Sequence, residues 1–61
     1  MSLKERILEY RARHGLSQED FANRCGLNVM TVNAIEVGKR KPTQLTVAKI
    51  EMVLKGDEKD V

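Results

Sequence analysis

Residues 17–38 read Ser-Gln-Glu-Asp-Phe-Ala-Asn-Arg-Cys-Gly-Leu-Asn-Val-Met-Thr-Val-Asn-Ala-Ile-Glu-Val-Gly, and they contain two short helical patterns separated by a glycine. Ser17 is a favoured N-cap residue, and the acidic side chains after it lie where a helix dipole favours anions. Gly26 predicts the end of this helix after about eight residues. Asn28 is a good cap for the next helix, which we expect to end at Val37-Gly38. The stretch therefore predicts two consecutive helices joined by a tight turn.

A further helical pattern precedes this stretch. Ser2 and Glu5 have the spacing of a capping box, in which each side chain bonds the backbone N–H of the other residue. Apolar residues then recur at spacings of four and three, as on one side of a helix: Leu3, Ile7 and Tyr10. Because His14-Gly15 resembles a helix end, we predict a first helix over residues 3–13.

Another helical pattern follows the stretch. Pro42 prevents the preceding helix from continuing, and Thr43 is a suitable cap for a new one. The apolar positions of this fourth helix are Val47, Ile50 and Leu54. Gly56 predicts its end.

The chain has 61 residues, of which 41% are hydrophobic and 33% charged. This size allows one domain with a small core and leaves little room for the deep pocket that most enzymes use. No apolar run approaches the ~18 residues of a membrane span, and no secretory signal is evident. The single cysteine, Cys25, cannot form an internal disulfide, which fits a reducing compartment. We therefore expect a cytoplasmic protein without a membrane partner.

The net charge of +2 is unevenly distributed along the chain. Residues 1–55 carry ten Lys and Arg and six Asp and Glu, whereas residues 56–61 carry one Lys and three Asp and Glu. A basic domain favours an anionic partner, although a solvated surface of mixed charge gives the same balance. We expect residues 1–55 to form the folded domain and residues 56–61 to form a short, disordered acidic tail.

A helical wheel divides the third helix into two faces. The face that we expect to meet the core holds Asn28, Val32, Ile35 and Glu36. The opposite face holds Met30, Asn33, Ala34 and Val37, with Val29 on its flank. Most side chains on this outward face are therefore apolar or small.

Two helices joined by a turn of two to three residues that contains glycine describe a helix-turn-helix. From Leu3 to Leu54, the chain resembles the phage repressor and Cro family of such domains. The matching residues are Leu3, Ile7, Arg11, Gly15-Leu-Ser-Gln18, Phe21-Ala22, Gly26-Leu27, Thr31, Ile35-Glu36, Gly38-Lys-Arg-Lys-Pro42, Thr46 and Lys49-Ile50. The resemblance implies an all-α, compact four-helix domain of the lambda repressor type, with a fifth helix absent or vestigial.

The resemblance also implies binding to double-stranded DNA, with the third helix in the major groove and the second across the backbone. Ser17 and Gln18 stand where free backbone N–H groups and a side-chain amide can bind a phosphate. Five residues after the third helix are further candidates for phosphate contacts: Lys39, Arg40, Lys41, Thr43 and Gln44. A plain helix cap and a solvated loop are the structural alternatives. No cofactor is implied.

Family members pair the positions of Arg11 and Glu36, which connects the first helix to the end of the third. Glu36 lies on the inner side of the wheel, and Arg11 follows the row of Leu3 and Ile7. We therefore expect a partly buried, bidentate ion pair that serves orientation more than net stability.

Family members commonly carry Arg, Gln or Ser on the outward face of the third helix, and this chain departs from that pattern. Asn33 is the strongest candidate for a base reader, because its amide can make two hydrogen bonds to adenine. Thr31 could contact a phosphate, a base edge or a thymine methyl group. Val29 and Met30 could pack on thymine methyl groups, and Ala34 allows close approach. These residues predict an A·T preference at the position that Asn33 contacts, and an affinity that depends mainly on phosphate contacts.

The same outward face also fits a protein partner, as in an adaptor or antirepressor. The apolar strip consists of Val29, Met30, Ala34 and Val37. Exposed apolar strips often mark protein contacts, and methionine suits adaptable surfaces. We favour a transcriptional regulator, most simply a repressor, because an adaptor has no need of phosphate-binding groups on the second helix and the basic loop.

An enzyme is the least expected class. One His, one Cys and scattered Ser residues do not assemble a nucleophile with its base. His14 and Cys25 cannot supply the tetrahedral ligand set of a structural zinc site, so we expect no metal. The sequence also lacks a phosphate-binding loop and a dinucleotide fingerprint.

A fifth helix often covers the core in this family and can form the dimer interface. Residues 55–61 are too short and polar to supply one. We therefore expect apolar side chains of the first and fourth helices to be partly exposed and to pair two protomers: Leu8, Leu45, Met52, Val53 or Leu54. A homodimer would bind half-sites about one helical turn apart.

Overall fold

The structure is a computed structural model that describes residues 1–58. It contains the helices α1 (Leu3–His14), α2 (Gln18–Cys25), α3 (Val29–Glu36) and α4 (Gln44–Glu58). No strand occurs in this part of the chain, and no helix in it combines the length and the apolar character needed to cross a bilayer. The predicted all-α, four-helix domain, with a helix-turn-helix formed by α2 and α3, is confirmed.

Local sequence explains where α1 begins and ends. The Ser2 hydroxyl accepts the Glu5 N–H at 3.2 Å, and the Glu5 carboxylate accepts the Ser2 N–H at 3.0 Å. The Ser2 backbone N–H, and to a lesser extent the Ser2 hydroxyl, favour the ionised carboxylate and lower the pKa of Glu5. Gly15 adopts the left-handed conformation and closes the helix after His14, one residue beyond the prediction.

The end of α4 differs from the prediction. Thr43 caps the helix as expected, since its hydroxyl accepts the Thr46 N–H at 3.2 Å. However, Gly56 does not end the helix, which continues to Glu58. A glycine inside a helix costs only about 1 kcal/mol relative to alanine, so one glycine alone does not terminate it. The remainder of the predicted acidic tail, residues 59–61, lies outside the described residues.

All four helices contribute to one core. Its buried apolar side chains are Ile7, Tyr10, Phe21, Ala22, Cys25, Val32, Ile35, Ile50 and Leu54. Leu3, Leu16, Leu27 and Val53 pack against its edge. This core orients α3 because Val32 and Ile35 are anchored in it.

The expected exposure of apolar residues on α1 and α4 is only partly correct. Leu8, Leu45 and Met52 are exposed, but Leu54 is buried. Leu54 follows Ile50 by four residues and shares its face of α4, which the core covers.

Candidate nucleic-acid interface

Helix α3 places a buried face and an exposed face back to back. Val32 has no exposed surface, and Glu36 is only 8% exposed. On the other side, Met30 is 76% exposed and Val37 is 54% exposed. The core therefore fixes the inner face of α3, while the outer face remains accessible to a partner.

The turn after α3 leads directly into the basic loop. Gly38 adopts a φ of 76°, a left-handed conformation that would strain any residue with a side chain. In this turn the Lys39 N–H donates to the Ala34 carbonyl at 2.9 Å, which closes the end of α3. The side chains of residues 39–41 are exposed and make no hydrogen bond or ion pair with residues 1–56. Three cationic side chains thus follow the exposed face of α3 without an internal counterion.

The beginning of α2 is a capping box that leaves donors free. The Ser17 hydroxyl accepts the Asp20 N–H at 3.0 Å, and the Asp20 carboxylate accepts the Ser17 N–H at 3.2 Å. The hydroxyl of Ser17 still has its own hydrogen to donate. The N–H groups of Gln18 and Glu19, the first two of α2, have no partner within their helix. This helix end can therefore bind an anion while remaining capped.

A groove of about 900 Å³ brings α3, the basic loop and the start of α2 together. Its lining residues are Gln18, Asn28, Val29, Met30, Thr31, Asn33, Ala34, Ile35, Lys39, Arg40, Lys41, Pro42, Thr43 and Thr46. All the predicted base readers border this groove, together with most of the predicted phosphate residues. Ser17 and Gln44 are the two predicted phosphate residues that do not line it.

Arg11 and Glu36 form an ion pair beneath this groove. One terminal nitrogen of Arg11, Nη1, donates to Oε1 and Oε2 of Glu36 at 2.7 and 2.9 Å. The Nε of Arg11 donates to the Leu16 carbonyl at 3.1 Å. The guanidinium therefore connects α1, the α1–α2 turn and the end of α3.

Gln18 extends this pair towards the groove. Its Nε2 donates to Oε1 of Glu36 at 3.0 Å, and its Oε1 accepts from Nδ2 of Asn33 at 3.2 Å. From the sequence we predicted that Gln18 contacts a phosphate and Asn33 a base, but not that the two side-chain amides contact each other. No spacing rule would have found this contact, because it joins two helices across their packing interface. Thr46 also borders the groove and was not a predicted site residue.

Cys25 and His14 occupy structural positions. Burial raises the pKa of the Cys25 thiol to about 11, so that it is protonated at neutral pH. His14 lies in the last turn of α1, with its ring centroid 4.3 Å from that of Tyr10. Among the described residues, no three His, Cys, Asp or Glu side chains gather into a group that could hold a metal ion.

Comparison with known proteins agrees with this architecture. A family model described as "Helix-turn-helix" matches residues 7–61. An uncharacterized HTH-type transcriptional regulator of Methanocaldococcus jannaschii is 42% identical over 48 residues, which cover 79% of this chain and 73% of that protein. An uncharacterized HTH-type transcriptional regulator of Archaeoglobus fulgidus is 32% identical over 59 residues, which cover 97% of this chain and 84% of that protein. No solved structure matches the chain significantly. The chain therefore belongs to the helix-turn-helix family of transcriptional regulators, of the phage repressor and Cro type.

Proposed function

We propose that this protein binds double-stranded DNA in a sequence-specific manner and represses transcription by occupying its site. Helix α3 enters the major groove, and the start of α2 and residues 39–44 contact the phosphates. The observation that carries this proposal is the groove that brings the exposed face of α3 beside three cationic side chains. The chain's membership of a family of transcriptional regulators also supports DNA binding.

The phosphate contacts supply most of the affinity in this proposal. Lys39, Arg40 and Lys41 are exposed and have no acidic partner among residues 1–56, so a phosphate can approach them without displacing one of those side chains. The free N–H groups at the start of α2 add uncharged donors on the same side of the molecule. Because the Asp20 carboxylate belongs to the cap of α2, we assign the larger attraction to the basic loop.

Base recognition combines one amide with apolar contacts. Asn33 offers a donor and an acceptor, the pattern that matches the N7 and N6 groups of adenine. Val29 and Met30 are exposed and line the groove, where they can pack on the methyl group of thymine. Thr31 lies in the same lining, and Ala34 is small enough to let the helix approach the bases closely. Together these residues favour A·T pairs.

A homodimer accounts for two exposed side chains of α4 in the same proposal. Leu45 and Met52 are seven residues apart, which places them on one side of the helix. Two protomers that pair through this side would bind a site of two half-sites, so the site itself should be palindromic.

A second candidate function uses the apolar strip of α3 for contact with a protein. The shared exposure of Val29, Met30 and Val37 favours it, because an exposed apolar patch on one face often marks a protein contact. On this alternative the protein is an adaptor or antirepressor, and its binding to DNA would be weak and nonspecific.

Selection from random DNA duplexes at two salt concentrations distinguishes these functions. We expect palindromic, A·T-leaning sites. With about four phosphate contacts in each protomer of a dimer, log K should fall with log salt concentration at a slope of about −7. The Lys41→Ala variant should reduce the magnitude of this slope by about 2 in the dimer, whereas Lys4→Ala, outside the groove, should leave it unchanged. An absence of salt-dependent binding and of any selected sequence would favour the protein partner.

A further inference from the structure

We propose that Glu36 is a positioning residue for base recognition, because it fixes the orientation of the Asn33 amide through Gln18 and thereby selects adenine. This inference rests on the proposed reading of DNA by Asn33. It assigns a role in specificity to a side chain that is only 8% exposed and lies beneath the groove, where it cannot contact DNA itself.

The chemistry of Glu36 determines which way the Gln18 amide faces. An ionised carboxylate offers only acceptors, so the group of Gln18 that lies 3.0 Å from it must be the NH2 group. Arg11 holds both carboxylate oxygens and so prevents Glu36 from turning away. The carbonyl oxygen of Gln18 therefore faces away from Glu36 and towards the Asn33 side chain, one turn earlier on α3.

The Gln18 carbonyl in turn determines which way Asn33 faces. It can only accept, so the group of Asn33 that lies 3.2 Å away must be its NH2 group. One N–H of Asn33 is consumed by this bond. Its second N–H and its carbonyl oxygen remain available at the groove. The relay from Glu36 to Gln18 to Asn33 thus presents one donor and one acceptor.

This pattern distinguishes adenine from guanine. Adenine presents an acceptor at N7 and a donor at N6 in the major groove, which match the remaining groups of Asn33. Guanine presents two acceptors, N7 and O6, and would be bound best by two donors. Since Gln18 occupies one of the two donors of Asn33, the relay removes the arrangement that guanine needs. Without the relay, the amide is free to rotate and present its NH2 group.

The Glu36→Gln variant tests this relay, because it keeps the shape of the side chain but removes the requirement for a donor on Gln18. The measurement is the ratio of affinities for A·T and G·C at the base pair that Asn33 recognises. We expect this ratio to fall about fivefold or more, the lower part of the range for a bidentate contact. In an Asn33→Ala background, Glu36→Gln should not change the ratio further. Glu9→Gln, an exposed acid paired with Arg13, is the matched control and should leave the ratio unchanged.

A second variant covers the possibility that Glu36→Gln does not fold. Gln18→Met keeps the Arg11–Glu36 pair and removes both amide bonds, so it should lower the same ratio. Folded variants that retain the wild-type ratio would overturn the relay, whereas a uniform loss of affinity for all sequences would indicate a purely structural role and overturn it equally.

A measurement without DNA separates the relay from the proposed function. We expect the side-chain amide signals of Asn33 in the ¹⁵N–¹H NMR spectrum of the free protein to shift in Glu36→Gln but not in Glu9→Gln. Unchanged signals in folded Glu36→Gln would refute the relay even if the protein binds DNA. Failure of the wild type to bind DNA would refute the proposed function while leaving this test of the relay decisive.

Discussion

The two faces of helix α3 use similar side chains under opposite constraints. Val32 is completely buried, and Val37, five positions later, is 54% exposed. The first has a fixed environment, because the core packs around it on all sides. The second is more than half open to solvent, so packing constrains it little. Folding therefore determines the inner face, whereas it leaves the residues of the outer face open to selection for binding.

The two faces are nevertheless connected by polar groups. Glu36 belongs to the buried face and Asn33 to the exposed one, and Gln18 on α2 bonds both. A charge within the fold can therefore influence which hydrogen-bonding groups the surface presents. In the relay proposed above, this connection gives the ion pair of Glu36 a role in recognition as well as in stability.

The largest expected effect comes from removing the Arg11 side chain, which would destabilise the buried face of α3. Arg11→Ala leaves the buried Glu36 carboxylate without its cation, so we expect a destabilisation of ~3 kcal/mol or more. Chemical denaturation followed by circular dichroism measures this change.

A matched arginine provides the control for that experiment. Arg13 pairs with Glu9 at the surface, with both side chains about half exposed. Removal of such an exposed pair typically costs ~1 kcal/mol or less. If Arg11→Ala lowered the free energy of unfolding by under ~0.5 kcal/mol, as is typical of an exposed site, the assignment of a buried, orienting ion pair would be refuted.

A pair of valine substitutions compares the two faces directly and should have an intermediate effect. Val32→Ala removes two buried methyl groups and leaves a cavity, so we expect a loss of ~2 kcal/mol in the free energy of unfolding. Val37→Ala should change it by less than ~0.5 kcal/mol. Equal losses in thermal or chemical unfolding would show that Val37 is also part of the core, contrary to the exposure described above.

The smallest expected effect is the contribution of thymine methyl groups to DNA affinity, which tests whether the outer face of α3 contacts them. Replacing thymine by uracil in a selected site removes only the C5-methyl group. If Val29 and Met30 pack on these methyl groups, affinity should fall by ~0.8 kcal/mol for each contact, as measured by fluorescence anisotropy. Met30→Ala should abolish the difference between thymine and uracil at its own contact. Equal affinity of wild type for both bases would argue against recognition of methyl groups.

The local elements of the fold were predictable because their signals are local. Ser2, Ser17 and Asn28 mark the starts of α1, α2 and α3 through short-range hydrogen bonds to their own backbone. Gly15 and Gly26 mark two ends because both positions need a left-handed conformation. Gly56 carried the same signal without that conformation, and α4 continues past it. A glycine by itself permits a turn but does not require one.

The candidate site was predictable only as a set of residues. The outward face of α3 and the basic loop could be recognised from periodicity and charge. The position of Gln18 between Glu36 and Asn33 could not, because side chains 18 and 15 residues apart meet only after α2 packs on α3.

The sequence alone determined the helices, their caps, the two faces of α3 and the cationic loop, because these depend on neighbouring residues and on the helical period. Only the tertiary structure decided that the Glu36 carboxylate accepts hydrogen bonds from Arg11 and Gln18. It also decided that Gln18 orients the Asn33 amide, and that the basic loop and α3 border one groove. Those features depend on the distance and angle between separate helices. The packing of the whole core sets both.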